Sequence, residues 1–285
     1  MERFLFFFED LPFWLKGIWI VCFISFFWII EGHYSFYKSS FNKWKHAKTN
    51  LLLLLFVILI NSFFGILFTF IDVWLKKNGF GILNMLNIVL WKKVILSIVV
   101  LDFTSQYFVH LLLHKVRWMW RLHLVHHTDK NVDVTTGTRH HPFDFLIRET
   151  FALMVVIIMG MPISFYFFYR MITIPFTYFN HADISLPLWL DKGLSYLIVS
   201  PNMHKFHHHY QQPWTDSNFG NILSVWDRLF GTFIYEDPKK IKYGLDSSNH
   251  TDDENFIFQL KVPFNNPDLK ELGTMFAIYL SPYLW

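Results

Sequence analysis

Twelve of the chain's fifteen histidines fall between His110 and His209, and most of them stand in three groups: His110-Leu-Leu-Leu-His114, His123-Leu-Val-His126-His127 and His204-Lys-Phe-His207-His208-His209. Imidazole is the commonest protein metal ligand. On a helix, side chains four apart diverge by about 40° and those three apart by about 60°, so each group aims two or three ring nitrogens the same way. His110, His114, His123, His126, His127, His204, His207 and His208 exceed what one four-coordinate metal can use and suit two metals sharing a site. His209 falls off that face. Burying so many imidazoles without metal or partner would cost roughly 1 to 3 kcal/mol for each unsatisfied group. His33, His46 and His250 lie outside the groups and read as surface or interfacial residues.

The elements that must position these side chains are set by composition. The 285 residues are 53% hydrophobic and 20% aromatic with 16% charged, which is the make-up of a membrane protein. The net charge of +3 is too small and too scattered to argue for nucleic acid. The one cysteine, Cys22, lies in an apolar stretch, which excludes a disulfide framework, iron–sulfur ligation and a cysteine-rich zinc site. Histidine and oxygen ligands remain.

Phe13 to Ile30 reads as a retained first span and not as a cleaved leader, because an acidic pair precedes it and no small-residue cleavage site closes it. Asn50 to Ile71 is a second span and Val94 to Leu113 another, whose end carries His110 and His114. Gly79 to Leu90 is too short to cross and suits a re-entrant or interfacial segment. Phe151 to Phe179 is broken by Gly160-Met-Pro162 and by Pro175, so it is either a hairpin bent at Pro162 or one long kinked span. Since the groups must meet, the ends at Leu113, His123, His181 and His204 belong on one membrane face, a parity that the hairpin satisfies and the single span does not. The loop Glu31 to Thr49 shares that face, and its lysines Lys38, Lys43, Lys45 and Lys48 fit a cytoplasmic location by the positive-inside rule, against equal charge from Lys76, Lys77, Lys92 and Lys93 in the opposing loop. Lys239 to Pro267 reads as a surface excursion before a short apolar stretch, Met275 to Trp285.

From Asp102 to Glu236 the chain resembles the fatty acid hydroxylase and sterol desaturase superfamily of membrane histidine-box di-iron oxidases. The resemblance rests on the three histidine groups, on the aspartate-led run Asp102 to His114, on Arg139-His-His-Pro142, and on Asn218-Phe-Gly220 with Trp226-Asp-Arg-Leu-Phe-Gly-Thr232. The ending looks most like the sterol C5-desaturase and alkylglycerol monooxygenase branch. Leu111 departs from the arginine that many members carry after the first histidine. The resemblance implies an all-α, multi-pass transmembrane bundle with a cytosolic histidine-rich metal-binding cap. It also implies His181, in Asn180-His-Ala-Asp183, as a ninth ligand. His141 stands as a further candidate ligand, as a donor to one, or as a loop histidine, and His140 shares that ambiguity. Three regions follow: membrane spans and their loops over 1–93, the catalytic domain over 94–236, and a C-terminal surface segment over 237–285.

The implied chemistry is oxidation of a lipid C–H bond, in a sterol, fatty-acyl or ether lipid, by two iron ions and O₂. Electrons come from an external donor, whether a cytochrome b5-like protein, a ferredoxin or a reductase, and the outcome is hydroxylation or desaturation. No nucleic-acid partner is implied. No HExxH motif, Walker A loop or Rossmann glycine fingerprint is present. Among Asp102, Asp129, Asp144, Asp183, Asp216 and Asp227, some are expected to take the outer ring N–H of a ligand histidine, while Asp227 is expected to fix a turn against Arg228. The alternative is a histidine-rich membrane metal transporter or metal-binding protein without redox chemistry, but a transporter would spread histidines along a path through the bilayer, whereas these sit at span ends.

Overall fold

The computed structural model describes residues 7–8, 13–36, 41–245 and 252–265. His250 and the apolar stretch Met275 to Trp285 lie outside the described residues. Among the described residues the fold is all-helical, with isolated bridges but no sheet. Three helical stretches are long and apolar enough to cross a membrane: Gly17–Tyr34, Lys43–Met85 and Leu90–Lys115.

The first lies in α1 (Phe13–Tyr34) and the second in α2 (Lys43–Asn78), which continues into the short α3 (Ile82–Met85). At 36 residues α2 is about 54 Å long, well beyond the apolar core Asn50 to Ile71. Its start is capped by Asn42, whose side chain accepts from Lys45 N, and it ends at Gly79 in the left-handed region with φ 60°. The third stretch runs through α4 (Leu90–Leu101), a π-helical segment (Asp102–Phe108) and α5 (Val109–Lys115). The widened π turn directly precedes His110, a placement such turns often take at functional sites.

The interrupted run after Arg139 is a hairpin of α7 (Pro142–Met159) and α8 (Ile163–His181). Gly160, at φ 65°, ends α7, and Pro162 opens α8. A side chain at Gly160 would meet the Phe80 carbonyl at 2.2 Å, and one at Gly81 would meet Gly160 N at 2.2 Å. The hairpin tip therefore docks backbone to backbone on the α2–α4 connection, and Asp72 of α2 accepts from Ile163 N at 2.9 Å. One end of the bundle thus holds Gly79 to Val89 and the hairpin tip. The opposite end holds the start of α2, α6 (Arg117–His127), the end of α8 and, after the short α9 (Leu188–Leu194), α10 (Pro201–His207). The main apolar core joins Phe64, Phe68, Leu101, Val156, Phe165 and Tyr169 between these helices.

Two sequence expectations are corrected here. Beyond α11 (Val225–Leu229), the surface excursion after Lys239 includes α12 (Phe256–Asn265), which packs on α6 and α2; Gln259 and Val262 are buried, and Gln259 Oε1 accepts from Thr128 Oγ1 at 2.9 Å. Its polar flanks hid a short amphipathic helix. His46 is not at the surface: it is fully buried, with Nε2 3.4 Å from Asp129 Oδ2 and 3.7 Å from Asp133 Oδ1. It sits on the inward face of the first turns of α2, beside Asn50, which donates to Thr135 Oγ1 at 2.8 Å. His46→Ala would leave two buried carboxylates short of a cation, so it is expected to cost about 3 kcal/mol of stability, read as a lowered melting temperature with helical content retained at low temperature.

Candidate metal centre

Nine of the ten sequence-derived ligand candidates converge at one end of the bundle, in two sets. His110, His114, His123, His127 and His207 form one, and His126, His181, His204 and His208 the other; within each set one ring nitrogen from every residue lies within 4.8 Å of the rest. None of the nine is more than 6% exposed. The two sets touch where His127 and His208 stack at 4.8 Å. Helix α5 supplies His110 and His114, α6 supplies His123, His126 and His127, α8 ends on His181, and α10 with the residue after it supplies the rest.

The outer nitrogens of six rings are held by oxygen. His110 Nδ1 donates to the Phe219 carbonyl at 2.9 Å, His207 Nδ1 to Ser217 at 2.7 Å, His126 Nδ1 to Arg139 at 3.2 Å and His181 Nδ1 to Thr177 at 2.7 Å. His123 Nδ1 donates to Asp144 Oδ2 at 2.9 Å and His114 Nδ1 to Asp216 Oδ1 at 3.2 Å. These oxygens only accept, so each neutral ring carries its proton on Nδ1 and turns an Nε2 lone pair inward. His110 and His123 then face each other Nε2 to Nε2 at 3.0 Å, and His126 and His181 at 3.1 Å, with no proton available to join them. His114 Nε2, His207 Nε2, His204 Nδ1 and both nitrogens of His127 and His208 are buried without a hydrogen-bond partner.

Protonation does not resolve this. Burial pushes His123 down to about 3 despite the Asp144 carboxylate. Burial first, then neighbouring imidazoles, holds His126, His127, His204, His207 and His208 well below the ordinary histidine value. Inward lone pairs that resist protonation are the donor set of a cation, and imidazole donors fit iron as well as zinc. The residues present fit two metal ions.

His141 stands apart from both sets. Its Nδ1 accepts from Phe143 N at 3.2 Å and its ring lies against Phe143 and Phe264, because the residue before Pro142 is extended and turns its side chain onto the start of α7. His140 is the one of the pair that approaches the metal residues: its Nδ1 donates to Asp144 at 3.1 Å and its ring stacks on His126 at 4.7 Å. The four carbonyl acceptors leave no trace in the sequence, since every residue carries one. Asp144 and Asp216 do carry a type signal, but only the fold selects them from the other aspartates. His209 bonds Gln211 N and the Lys240 carbonyl, off both sets.

The segment Ser217 to Thr232 presents two of those carbonyls. Asp227 accepts from Phe219 N at 2.7 Å, Gly220 N at 2.9 Å and Thr232 Oγ1 at 2.8 Å, while Asp102 accepts from Leu223 N at 3.2 Å and Trp226 Nε1 at 2.9 Å. Burial raises Asp227 to about 7. The expected pairing of Asp227 with Arg228 does not form; Arg228 lies over the Phe233 ring at 3.7 Å instead. A Cβ at Gly220 would meet Asp227 Oδ2 at 2.9 Å, so only glycine fits there. Arg139, also fully buried, donates to Val125 O, Asn50 Oδ1, Thr128 Oγ1 and Asp253 O, which fixes the backbone whose carbonyl holds His126.

Asp216 joins His114 to the surface through Lys115 Nζ at 2.8 Å. Burial pushes its carboxyl up, but the His114 hydrogen bond and the Lys115 charge outweigh that and hold it below its ordinary value. Asp216→Ala is expected to weaken metal affinity about 10- to 100-fold, measured by iron competition with a chelator of known affinity.

Residues 94–232 match the fatty acid hydroxylase family, so the chain carries a domain of that family. It is 24% identical over 180 residues to ornithine lipid hydroxylase OlsE of Rhizobium tropici, covering 63% of this chain and 53% of that one. It is 29% identical over 143 residues to alkylglycerol monooxygenase of Xenopus tropicalis, covering 50% of this chain and 30% of that one, and 27% identical over 143 residues to cholesterol 25-hydroxylase-like protein of Danio rerio. The chain spans about half of the first relative's length and under a third of the second's. No solved structure matches it.

Proposed function

We propose that the chain is a membrane-bound lipid hydroxylase whose nine clustered histidines hold two iron ions. The observation that carries this reading is the pair of buried sets with inward nitrogens and outward donors anchored on oxygen. When bound, iron supplies O₂ activation and oxidation of an unactivated C–H bond. The balance is RH + O₂ + two electrons + two protons giving ROH + H₂O, so an external electron donor is required. The protein holds the ligand rings in one tautomer and keeps water out: Trp120 and Phe219 pack against His114 at 4.8 and 5.0 Å. Three apolar helices long enough to cross a membrane support entry of the lipid from the bilayer. The named hydroxylases and monooxygenases among the relatives favour an alcohol product over an alkene. The metal end faces the cytoplasm in this reading, with Lys43, Lys45 and Lys48 beside it. Both sets lie together at one end of the bundle, which disfavours a transport path.

The test is turnover of a membrane lipid extract by iron-loaded protein with a reductase system under ¹⁸O₂. One labelled oxygen is expected in a lipid alcohol. An unlabelled alkene would reassign the chain to desaturation, and no lipid oxidation with a competent donor would overturn the reading.

A further inference from the structure

At the metal end of the bundle a cavity of about 660 Å³ opens between the last turns of α1, the start of α2, the segment Lys130 to Asp133 and residues 241–243. Two candidate spans have their ends here, and in a membrane such ends lie near the lipid head groups. The cavity adjoins the metal residues through the chain itself: Asp183 follows His181 by two residues, and Lys130 follows His127 by three.

Three carboxylates stand in its wall, Glu31 and Asp133 at 1% exposure and Asp183 at 5%. Glu31 is fully engaged, with Oε1 accepting from Val134 N at 2.7 Å and Asp183 N at 2.6 Å and Oε2 accepting from Lys43 Nζ at 3.4 Å. Asp183 Oδ2 accepts from Ser35 Oγ, and its Oδ1 lies 4.0 Å from Lys205. Asp133 differs. Its Oδ1 accepts from Thr135 N at 2.8 Å and Thr135 Oγ1 at 2.6 Å and lies 3.7 Å from His46 Nε2, while Oδ2 is buried without a hydrogen-bond partner. Trp28, Phe41 and Tyr243 add aromatic walls. A carboxylate with an unused oxygen near aromatic rings makes a receptor for an organic ammonium group, and the Trp28 ring already takes one, the Lys43 Nζ at 5.5 Å from its centroid. Toward solvent the sign changes, since Lys43 is 31% and Lys130 40% exposed at the side chain, and Lys242 is exposed as well.

We propose that this cavity receives the head group of a zwitterionic lipid, with its ammonium against Asp133 and the aromatic rings and its phosphate toward the lysines. The proposal rests on the lipid-hydroxylase reading and adds the substrate class. An ammonium head group seated beside the histidine end would fix which carbon of the lipid reaches the metals.

The experiment measures binding to the full-length, iron-loaded protein in detergent by isothermal calorimetry, using dihexanoyl phosphatidylethanolamine, dihexanoyl phosphatidylglycerol and free O-phosphoethanolamine. The ethanolamine lipid is expected to bind about tenfold tighter than the glycerol lipid, a preference of ordinary size for a desolvated ammonium site, and tighter than the free head group. Asp133→Asn, which keeps a good cap at its turn, and Trp28→Leu, which keeps apolar bulk, are each expected to remove most of that preference with iron content unchanged. Equal affinity for the two lipids overturns the proposal. So does a preference that survives both variants, or a free head group that binds as tightly as the lipid. If the preference and its loss are seen but no lipid is oxidised under ¹⁸O₂, the hydroxylase reading fails and the cavity assignment stands. If both lipids are hydroxylated with no binding preference, the cavity assignment alone falls.

Discussion

Purified with iron present, the protein is expected to hold about two iron ions per chain, and alanine at His126, His127, His207 or His208 is expected to reduce turnover to below about one-hundredth. That loss exceeds the 10- to 100-fold typical of residues that only support a ligand. The sets predict more than a uniform loss, because one has five histidines and the other four. Removing one member of the larger set leaves four donors, whereas removing His126, His181, His204 or His208 leaves three. Iron content measured by mass spectrometry is therefore expected to fall toward one per chain for His204→Ala and His208→Ala, and to fall less for His114→Ala. His181 is the informative case: its Nδ1 is anchored on the Thr177 carbonyl and its Nε2 faces both His126 and His204 at 3.1 Å. Wild-type iron and turnover in His181→Ala would remove it from the ligand set, and the same result in His208→Ala would sink the division into five and four.

How much of this was legible in the sequence follows from how local each signal is. The histidine spacings of α5, α6 and α10 are single-turn patterns, so a helix converts them directly into shared faces. The hairpin was equally readable, since Gly160 and Pro162 act on their own backbone and the ligand ends had to meet. What could not be read depends on contacts far along the chain. His46 looks like an isolated polar residue until Asp129 and Asp133, more than eighty residues later, fold over it. His140 and His141 are neighbours of one type, and only the turn into α7 sends the first toward Asp144 and His126 and the second toward Phe264. The resemblance to the fatty acid hydroxylase and sterol desaturase superfamily pointed to Asn218-Phe-Gly220 and Trp226 to Thr232, but not to their work, which is to hold the Phe219 and Ser217 carbonyls over His110 and His207.

Stripping the metal is expected to lower the melting temperature sharply, by 10 °C or more on the order of magnitude set by several unsatisfied buried groups in a chain of this size, and restoring iron is expected to recover it. Without a cation, lone pair would face lone pair at His110 with His123 and at His126 with His181, so the cation relieves a repulsion as well as adding bonds. Acid should act in the same direction. His123 is held at about 3 and His126, His127, His204, His207 and His208 well below the ordinary value, chiefly by burial. In the unfolded chain the same rings titrate near 6.5. Above that pH neither state binds the protons and no stability is at stake. As the pH falls below 6.5 the unfolded chain takes up protons that the folded core refuses, so stability declines steadily toward pH 4, and bound metal steepens the decline because each ligand must stay deprotonated. Melting temperature and iron retention measured together between pH 8 and pH 4 are expected to be flat above about 7 and to fall in step below it. A melting temperature that stays level to pH 4, with iron still bound, would mean that these rings are not the buried neutral ligands described here.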